Sequence, residues 1–166
     1  METDINKLIE MGRNLEKEHD EVVIRTLKDM SGKYSDQEEI KAILKHYNPL
    51  IYKVFVKKSD DVDYGVTVIY PGTIGKEYYM TKGHNHNTPS PETYILLEGE
   101  GKLIIERGDD ARVLDLKRNE KVVVPEDYAH RTVNTGTKQL KFLAIYDPKA
   151  GHNYNTEFKK RLFKEW

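Results

Sequence analysis

The sequence GHNHNTPSPE, residues 83–92, contains two histidines and an acid at a spacing that suits a metal site in a β protein. If His84-Asn85-His86 is extended, its two imidazoles point to the same side, because side chains two residues apart in a strand share a face. The turn-rich residues 87–91 would then bring Glu92, at the start of the next strand, to the same point. We therefore predict that these three side chains converge.

A further histidine, His130, opens a later predicted strand and adds a third imidazole to this set. Because the chain has no cysteine, any metal must be held by nitrogen and oxygen atoms. Three imidazoles and one carboxylate suit iron(II), nickel(II), manganese(II) or zinc. Four protein ligands leave two positions of a six-coordinate ion open, which favours catalysis or small-molecule chelation over a structural role.

From Leu50 onward, short apolar–polar alternations are separated by turn residues, which is typical of a sandwich or barrel. We predict nine strands there: Ile51–Val56, Gly65–Tyr70, Glu77–Thr81, Thr93–Glu98, Gly101–Glu106, Ala111–Leu116, Lys121–Val124, His130–Asn134 and Lys141–Tyr146.

The two ends of the chain differ from this middle part. Residues 1–49 are highly charged and are predicted to form an extension with one helix over Asp36–His46, for which Ser35 provides the N-cap. For Glu21–Leu27 a strand is preferred over the end of a helix. Residues 155–166 are predicted to form a C-terminal helix, because Phe158, Leu162 and Trp166 are spaced four apart. We expect one domain over 1–166, with the barrel at 50–150.

Composition narrows the class of protein. Lys and Arg number 27 and Asp and Glu 28 in 166 residues, so charge gives no reason to expect nucleic-acid binding. No apolar run approaches the roughly 20 residues of a membrane helix. The polar start Met1-Glu2-Thr3-Asp4 is unlike a secretory signal, so we expect a cytoplasmic protein with no membrane partner.

Longer strings carry a resemblance to a known family. Gly83-His84-Asn85-His86 with Glu92 and Gly99 resembles the first cupin motif, and Pro125, His130 and Asn134 resemble the second, although Asn119-Glu120 stands where many cupins have a glycine. Residues 67–72 (TVIYPG), 81–84 (TKGH), 129–134 (AHRTVN) and 150–152 (AGH) are similar to the cupin-type, archaeal phosphoglucose isomerases. The resemblance spans about Tyr52 to Tyr154.

This resemblance implies an all-β fold, the cupin double-stranded β-helix or jelly-roll barrel, with a short helical N-terminal region and a C-terminal helix. It implies a glucose-6-phosphate isomerase of glycolysis and gluconeogenesis, which interconverts glucose 6-phosphate and fructose 6-phosphate. One divalent metal per subunit is expected, with iron(II) as the first candidate. Cupins often form homodimers, and the modest hydrophobic content of 37% agrees with a core completed at an interface.

The resemblance also assigns roles to residues outside the metal set. It places the substrate phosphate near Tyr52, Thr67, Thr81, Gly83 and Tyr146, where hydroxyls and a glycine N–H give directional donors. Lys82 is an alternative cation, but strand alternation turns it away from its two neighbours. Glu92 is the candidate base, with Tyr94 or His152 assisting the proton shuttle.

Several alternatives stay open at this point. The hydrogen could move through an enediol or as a direct hydride shift, and a metal-bound Glu92 would be a weakened base. The same four ligands could serve a cupin oxygenase, which would need an apolar pocket without phosphate donors. A mannose-6-phosphate-type isomerase and a non-catalytic sugar-binding cupin are the other rivals.

Overall fold

The computed structural model describes residues 4–165, and antiparallel strands are its main secondary structure. The strands are β1 Glu21–Thr26, β2 Leu50–Lys58, β3 Asp63–Ile69, β4 Thr73–Ile74, β5 Glu77–Tyr78, β6 Glu92–Glu98, β7 Gly101–Arg107, β8 Asp110–Asp115, β9 Lys121–Val124, β10 Ala129–Asn134 and β11 Leu140–Tyr146. The helices are α1 Ile5–Asn14, α2 Leu27–Met30 and α3 Gln37–Leu44, with 3₁₀ turns at Ser31–Lys33 and Pro148–Ala150. No helix within the described residues is long and apolar enough to cross a bilayer.

Two sheets form the barrel. The larger has the order β1-β2-β3-β11-β6-β9 and the smaller the order β10-β7-β8, and all these neighbours are antiparallel. The main hydrophobic cluster contains residues of both sheets, among them the fully buried Ile69, Leu103 and Leu140. The sheets therefore pack face to face, as the all-β barrel prediction requires. The strand predicted over Glu77–Thr81 is shorter than expected, because only β5 forms there and Met80 makes an isolated bridge to Val133.

The N-terminal region contains more structure than the single predicted helix. Helix α1 lays Leu8 and Ile9 on the outer face of the large sheet, against Val66 and Leu143. The strand that was preferred over a helix end for Glu21–Leu27 is present as β1, and it is the edge strand of the large sheet, beside β2. Within residues 4–49, α1 therefore covers the back of the large sheet, and β1 extends that sheet at one edge.

The predicted helix over Asp36–His46 is present as α3, but its cap is one residue later than expected. Asp36, not Ser35, accepts a hydrogen bond at Oδ1 from the Glu39 N–H, at 3.0 Å. Ser35 instead donates its N–H and hydroxyl to the buried Glu77 carboxylate, at 3.0 and 3.1 Å. A long-range partner has replaced the local one that the capping pattern indicated.

The predicted C-terminal helix is wrong for residues 155–165, which contain no helix, while Trp166 lies outside the described residues. The backbone here pairs with other parts of the chain: the Tyr78 N–H donates to the Leu162 carbonyl at 3.3 Å, and the Lys164 N–H donates to the Lys76 carbonyl at 2.7 Å. Phe158 is buried against the barrel. These tertiary contacts outweigh the weak helical preference of a short segment.

Asn119 lies in the turn where many cupins have a glycine, and its backbone conformation explains why the replacement is tolerated. Asn119 adopts a left-handed backbone conformation with φ 65° in the turn before β9. Glycine takes this conformation most readily, and asparagine is among the few other residues that tolerate it. The turn therefore keeps its shape although the glycine of the cupin motif is absent.

Candidate metal centre and cavity

The four predicted metal ligands meet at one point inside the barrel. One donor atom from each of His84, His86, Glu92 and His130 lies within 4.8 Å of all the others. Glu92 opens β6 and His130 lies in β10, while the backbones of His84 and His130 bond each other in both directions at 2.9 and 3.1 Å. The segment before β6 is thereby held against β10, which fixes the first histidine beside the last.

Glu92 lies at the centre of this group. Its Oε1 is 3.2 Å from Nε2 of His84 and 2.7 Å from Nε2 of His86, and its Oε2 is 3.3 Å from Nε2 of His130. Burial alone would raise the pKa of Glu92, but the surrounding imidazoles, His130 foremost, lower it well below its usual value. The carboxylate is therefore ionised and available as a ligand.

The hydrogen bonds of the imidazoles test whether a cation fits here. Nδ1 of His86 lies 2.9 Å from the Gly151 carbonyl, which can only accept, so this nitrogen carries the proton. In the neutral ring, Nε2 then presents a lone pair to the Glu92 carboxylate, and the Nε2 atoms of both His86 and His130 are buried without a hydrogen-bond partner. Acceptors facing one another in a buried site are satisfied by a cation between them. The residues present fit a divalent metal.

Burial favours the neutral form of two histidines, His84 and His152. It lowers the pKa of His84 to about 4, with only partial compensation from Glu92. It lowers the pKa of His152 in the same way. Neutral imidazoles are the form in which histidine binds a metal or accepts a proton.

A cavity of about 320 Å³ opens beside the metal ligands, which is a size suited to a small molecule. The residues predicted for substrate binding and catalysis line it together with three of the metal ligands: Tyr52, Thr67, Thr81, Gly83, His84, Glu92, Tyr94, His130, Tyr146 and His152. His86 is not part of this wall, and its side chain is only 5% exposed. The fold thus brings together the two zones that the sequence predicted separately.

Two of the candidate catalytic side chains adjoin Glu92. Nε2 of His152 lies 3.9 Å from Oε1 of Glu92, and its ring packs edge-on against that of His84. Tyr94 stacks on Phe142 and lines the cavity together with Glu92. Burial and the Glu92 carboxylate raise the pKa of Tyr94 well above its usual value, so the phenol stays protonated.

Hydroxyl groups line another part of the cavity. The Tyr52 oxygen accepts from the Lys82 N–H at 3.2 Å, and the Thr81 hydroxyl oxygen accepts from the Thr132 N–H at 3.1 Å. Each hydroxyl therefore still has its own hydrogen to donate to a ligand. Gly83 lies beside them with φ 76°, and an added Cβ would lie 2.4 Å from a ring carbon of Phe158. Only glycine fits this position.

Several residues of the cavity wall were missed from the sequence, among them Arg25 and Tyr154. Arg25 lies on β1, whose alternation Glu21-Val23-Arg25 faces the cavity, but β1 could be assigned only as a strand of unknown partner. Tyr154 follows the 3₁₀ turn and lies near Lys82, whose ammonium is 5.8 Å from the ring centre. Lys82 itself does not line the cavity, in agreement with the strand-alternation argument.

Comparisons with known proteins agree on one family. A family model described as glucose-6-phosphate isomerase matches residues 24–163. The glucose-6-phosphate isomerase of Thermococcus litoralis is 37% identical over 147 residues, which cover 85% of this chain and 77% of the relative. That of Pyrococcus horikoshii is 38% identical over 148 residues, covering 86% of this chain and 78% of the relative.

Among solved structures, a formate complex of oxalate decarboxylase from Lactobacillus farciminis is similar, with a TM-score of 0.50 and 21% identity. The match covers 58% of this chain and 28% of that larger protein. At this identity the likeness concerns the fold alone, and it agrees with a cupin barrel.

Proposed function

The chain belongs to the glucose-6-phosphate isomerase family, and from this we propose that it interconverts glucose 6-phosphate and fructose 6-phosphate by aldose–ketose isomerisation. The observation that carries the proposal is the cavity itself, in which three of the four potential metal ligands adjoin a wall of hydroxyl groups. One zone suits the reacting carbons and the other suits a phosphate.

The proposed metal site consists of His84, His86, Glu92 and His130. Its nitrogen and oxygen donors suit iron(II), our first candidate, and also nickel(II), manganese(II) and zinc. When bound, such an ion supplies Lewis-acid polarisation of the substrate oxygens at C1 and C2. The Gly151 carbonyl, by fixing the proton on Nδ1 of His86, keeps the other nitrogen of that ring available as a ligand.

The proposed substrate orientation follows from the two zones. The hydroxyls of Tyr52, Thr67 and Thr81 and the backbone at Gly83 would donate to the phosphate, as neutral directional donors. Carbons C1 and C2 would then lie beside Glu92 and His152. Tyr146, whose ring centre is 5.4 Å from that of His152, would contact the sugar between them.

For the proton movements we propose the enediol route. A base removes the proton from C2 and later returns it to C1, while the hydroxyl proton passes from O2 to O1. Glu92 is the proposed carbon base, and it must loosen from the ligand set to act. His152, neutral at physiological pH and not among the ligands, is placed to carry the hydroxyl proton, and Tyr94 steadies the carboxylate as a hydrogen-bond partner.

Isotope exchange distinguishes this route from a hydride shift. Glucose 6-phosphate converted in deuterated water should yield fructose 6-phosphate that carries deuterium at C1, because the abstracted proton exchanges with solvent. No incorporation after many reversible turnovers would contradict the enediol route and favour direct transfer between the carbons.

We further propose a single-domain, cytoplasmic enzyme that acts as a homodimer. Support for the dimer comes from edge strand β1, whose outward Val22 and Ile24 are 39% and 51% exposed. Edge strands with apolar faces are commonly covered by a second subunit. Sedimentation of the purified protein checks this, and Ile24→Asp should shift it toward the monomer.

The hydroxyl groups of the cavity wall favour an isomerase over an oxygenase, since an apolar substrate would leave those of Tyr52, Thr67 and Thr81 without an acceptor. The deciding experiment incubates the purified protein with fructose 6-phosphate, couples glucose 6-phosphate formation to a dehydrogenase, and records oxygen in parallel. We expect product without oxygen uptake. Absence of product with each of the four candidate metals would overturn the proposal.

A further inference from the structure

Arg25 is a cation in the wall of the cavity to which the resemblance assigned no role. It lies on β1 directly opposite Tyr52 of β2, and both line the cavity. Side chains at paired positions of neighbouring strands lie on the same face, about 5 Å apart. Arg25 is half-buried, so its guanidinium is partly withdrawn from water.

The charge of Arg25 has no salt-bridge partner among residues 4–165. Asp29 feels its field, but that carboxylate accepts from the N–H and hydroxyl of Thr26 at 2.8 and 3.1 Å. Arg25 instead lies opposite Tyr52 and 6.0 Å from the Tyr154 ring centre, and its charge opposes the rise that burial causes in the pKa of both tyrosines. A half-buried cation surrounded by neutral donors is arranged for an external anion.

The other cation of the cavity wall has a different environment. Lys58 lies six residues farther along β2 than Tyr52, which is about 20 Å away at the rise of a strand. There it is 3.8 Å from Glu21 and pairs across strands with Asp63, and both acids also line the cavity. That end of the cavity is therefore unsuited to a phosphate dianion.

The geometry points to Arg25 as the cationic contact for the phosphate of the substrate. Because Glu21 and Asp63 repel a phosphate from the opposite end of the cavity, Arg25 and these two acids together fix the direction in which the sugar phosphate binds. This inference rests on the proposed function, because it uses a sugar phosphate as the ligand. The hydroxyls would shape the phosphate site, and Arg25 would supply the charge that those neutral groups lack.

The test compares Arg25→Met, Arg25→Lys and the matched control Lys58→Met, each with its metal content measured. We expect Arg25→Met to raise KM for fructose 6-phosphate on the order of 10- to 100-fold, the scale of a charge-assisted hydrogen bond, with little change in kcat. The inhibition constant of inorganic phosphate should rise in parallel. Arg25→Lys should recover part of both, because it restores charge without the planar fork. Lys58→Met should change KM less than about threefold, as expected for an exposed pair.

A binding readout separates this inference from the proposed function. Fructose 6-phosphate and inorganic phosphate should raise the melting temperature of the wild type and of Lys58→Met more than that of Arg25→Met. If the wild type lacks isomerase activity but shows this Arg25-dependent stabilisation, the anion contact stands and the proposed reaction fails. Unchanged KM and phosphate inhibition in Arg25→Met, or a larger effect of Lys58→Met, would overturn the inference. Should Arg25→Met not fold, Arg25→Gln and Arg25→Lys provide the same comparison.

Discussion

Nε2 of His86 lies 2.7 Å from Oε1 of Glu92, while the other nitrogen of the same ring is bonded to the Gly151 carbonyl. This relationship forces a choice: either the imidazole carries a second proton, or a cation lies between the two side chains. His130, whose Nε2 is also buried without a hydrogen-bond partner, faces the same carboxylate. Together these contacts are best satisfied by a metal ion bound between the imidazoles and the carboxylate.

Replacing Glu92 by Gln should remove the metal. The neutral amide gives up the charge that balances a dication, so metal affinity should fall by more than the roughly 10- to 100-fold that loss of an outer-shell partner costs. Isomerase turnover should fall at least about 100-fold. Metal content per chain and kcat measure the two effects.

Glu106→Gln is the matched control for that variant. Glu106 is buried too, but its carboxylate accepts from the Lys159 and Lys160 N–H groups, both at 2.9 Å, outside the cavity. The Glu106→Gln variant should have a lower melting temperature and an unchanged metal content. Equal metal loss in both variants would mean that the Glu92 effect is only structural.

The metal and phosphate zones should respond differently to substitution. His130→Ala should reduce metal content and turnover together, because it deletes a ligand. Thr81→Ala should raise KM for fructose 6-phosphate and keep the metal, and Thr81→Ser should restore KM by returning the hydroxyl. Steady-state kinetics beside metal analysis measures this, and the opposite pattern would mean that the two zones are assigned the wrong way round.

His152→Gln tests the proposed proton carrier. Because His152 is not a ligand, the variant should retain its metal and bind substrate with a similar KM. Its kcat should fall on the order of 10²- to 10⁴-fold, the usual contribution of a general acid–base group. Loss of metal would place His152 in the ligand set, and an unchanged kcat would remove it from the mechanism.

Gly83→Ala should destabilise the fold. A Cβ there would collide with Phe158 at 2.4 Å and would force alanine to φ 76°, so we expect a loss of about 2–4 kcal/mol in the free energy of unfolding. Gly32→Ala is the control, since nothing lies within 4 Å of its added Cβ, and it should change stability by less than about 0.5 kcal/mol. Urea denaturation measures both, and similar values would show that the contact with Phe158 relaxes without cost.

The strands and the metal ligands could be predicted because their signals are local. Alternation and turn residues placed the strands within one or two residues in most cases, and the spacing of His84, His86 and Glu92 indicated their convergence. His130 was added as a third imidazole at the start of a later predicted strand, and the cupin motif supported that choice, since nothing local pairs β10 with the segment around His84. The sequence could not have revealed that pairing, because it depends on the closure of the barrel.

The errors arose where distant contacts replace local preferences. Ser35 resembles a helix cap but bonds Glu77, 42 residues away. The periodicity of Phe158 and Leu162 suggests a helix, yet the backbone there pairs with residues 76–78. Arg25 was missed for a related reason: its importance comes from facing Tyr52 across two strands, which a pattern within one segment does not encode.

The measurement that tests the central claim most directly is metal removal and restoration. The purified protein is treated with a chelator, dialysed, and reloaded with iron(II), nickel(II), manganese(II) or zinc, and the conversion of fructose 6-phosphate is measured against bound metal per chain. We expect activity to disappear with the metal and to return in proportion to occupancy, up to one ion per chain. Full activity in protein free of metal would contradict the account.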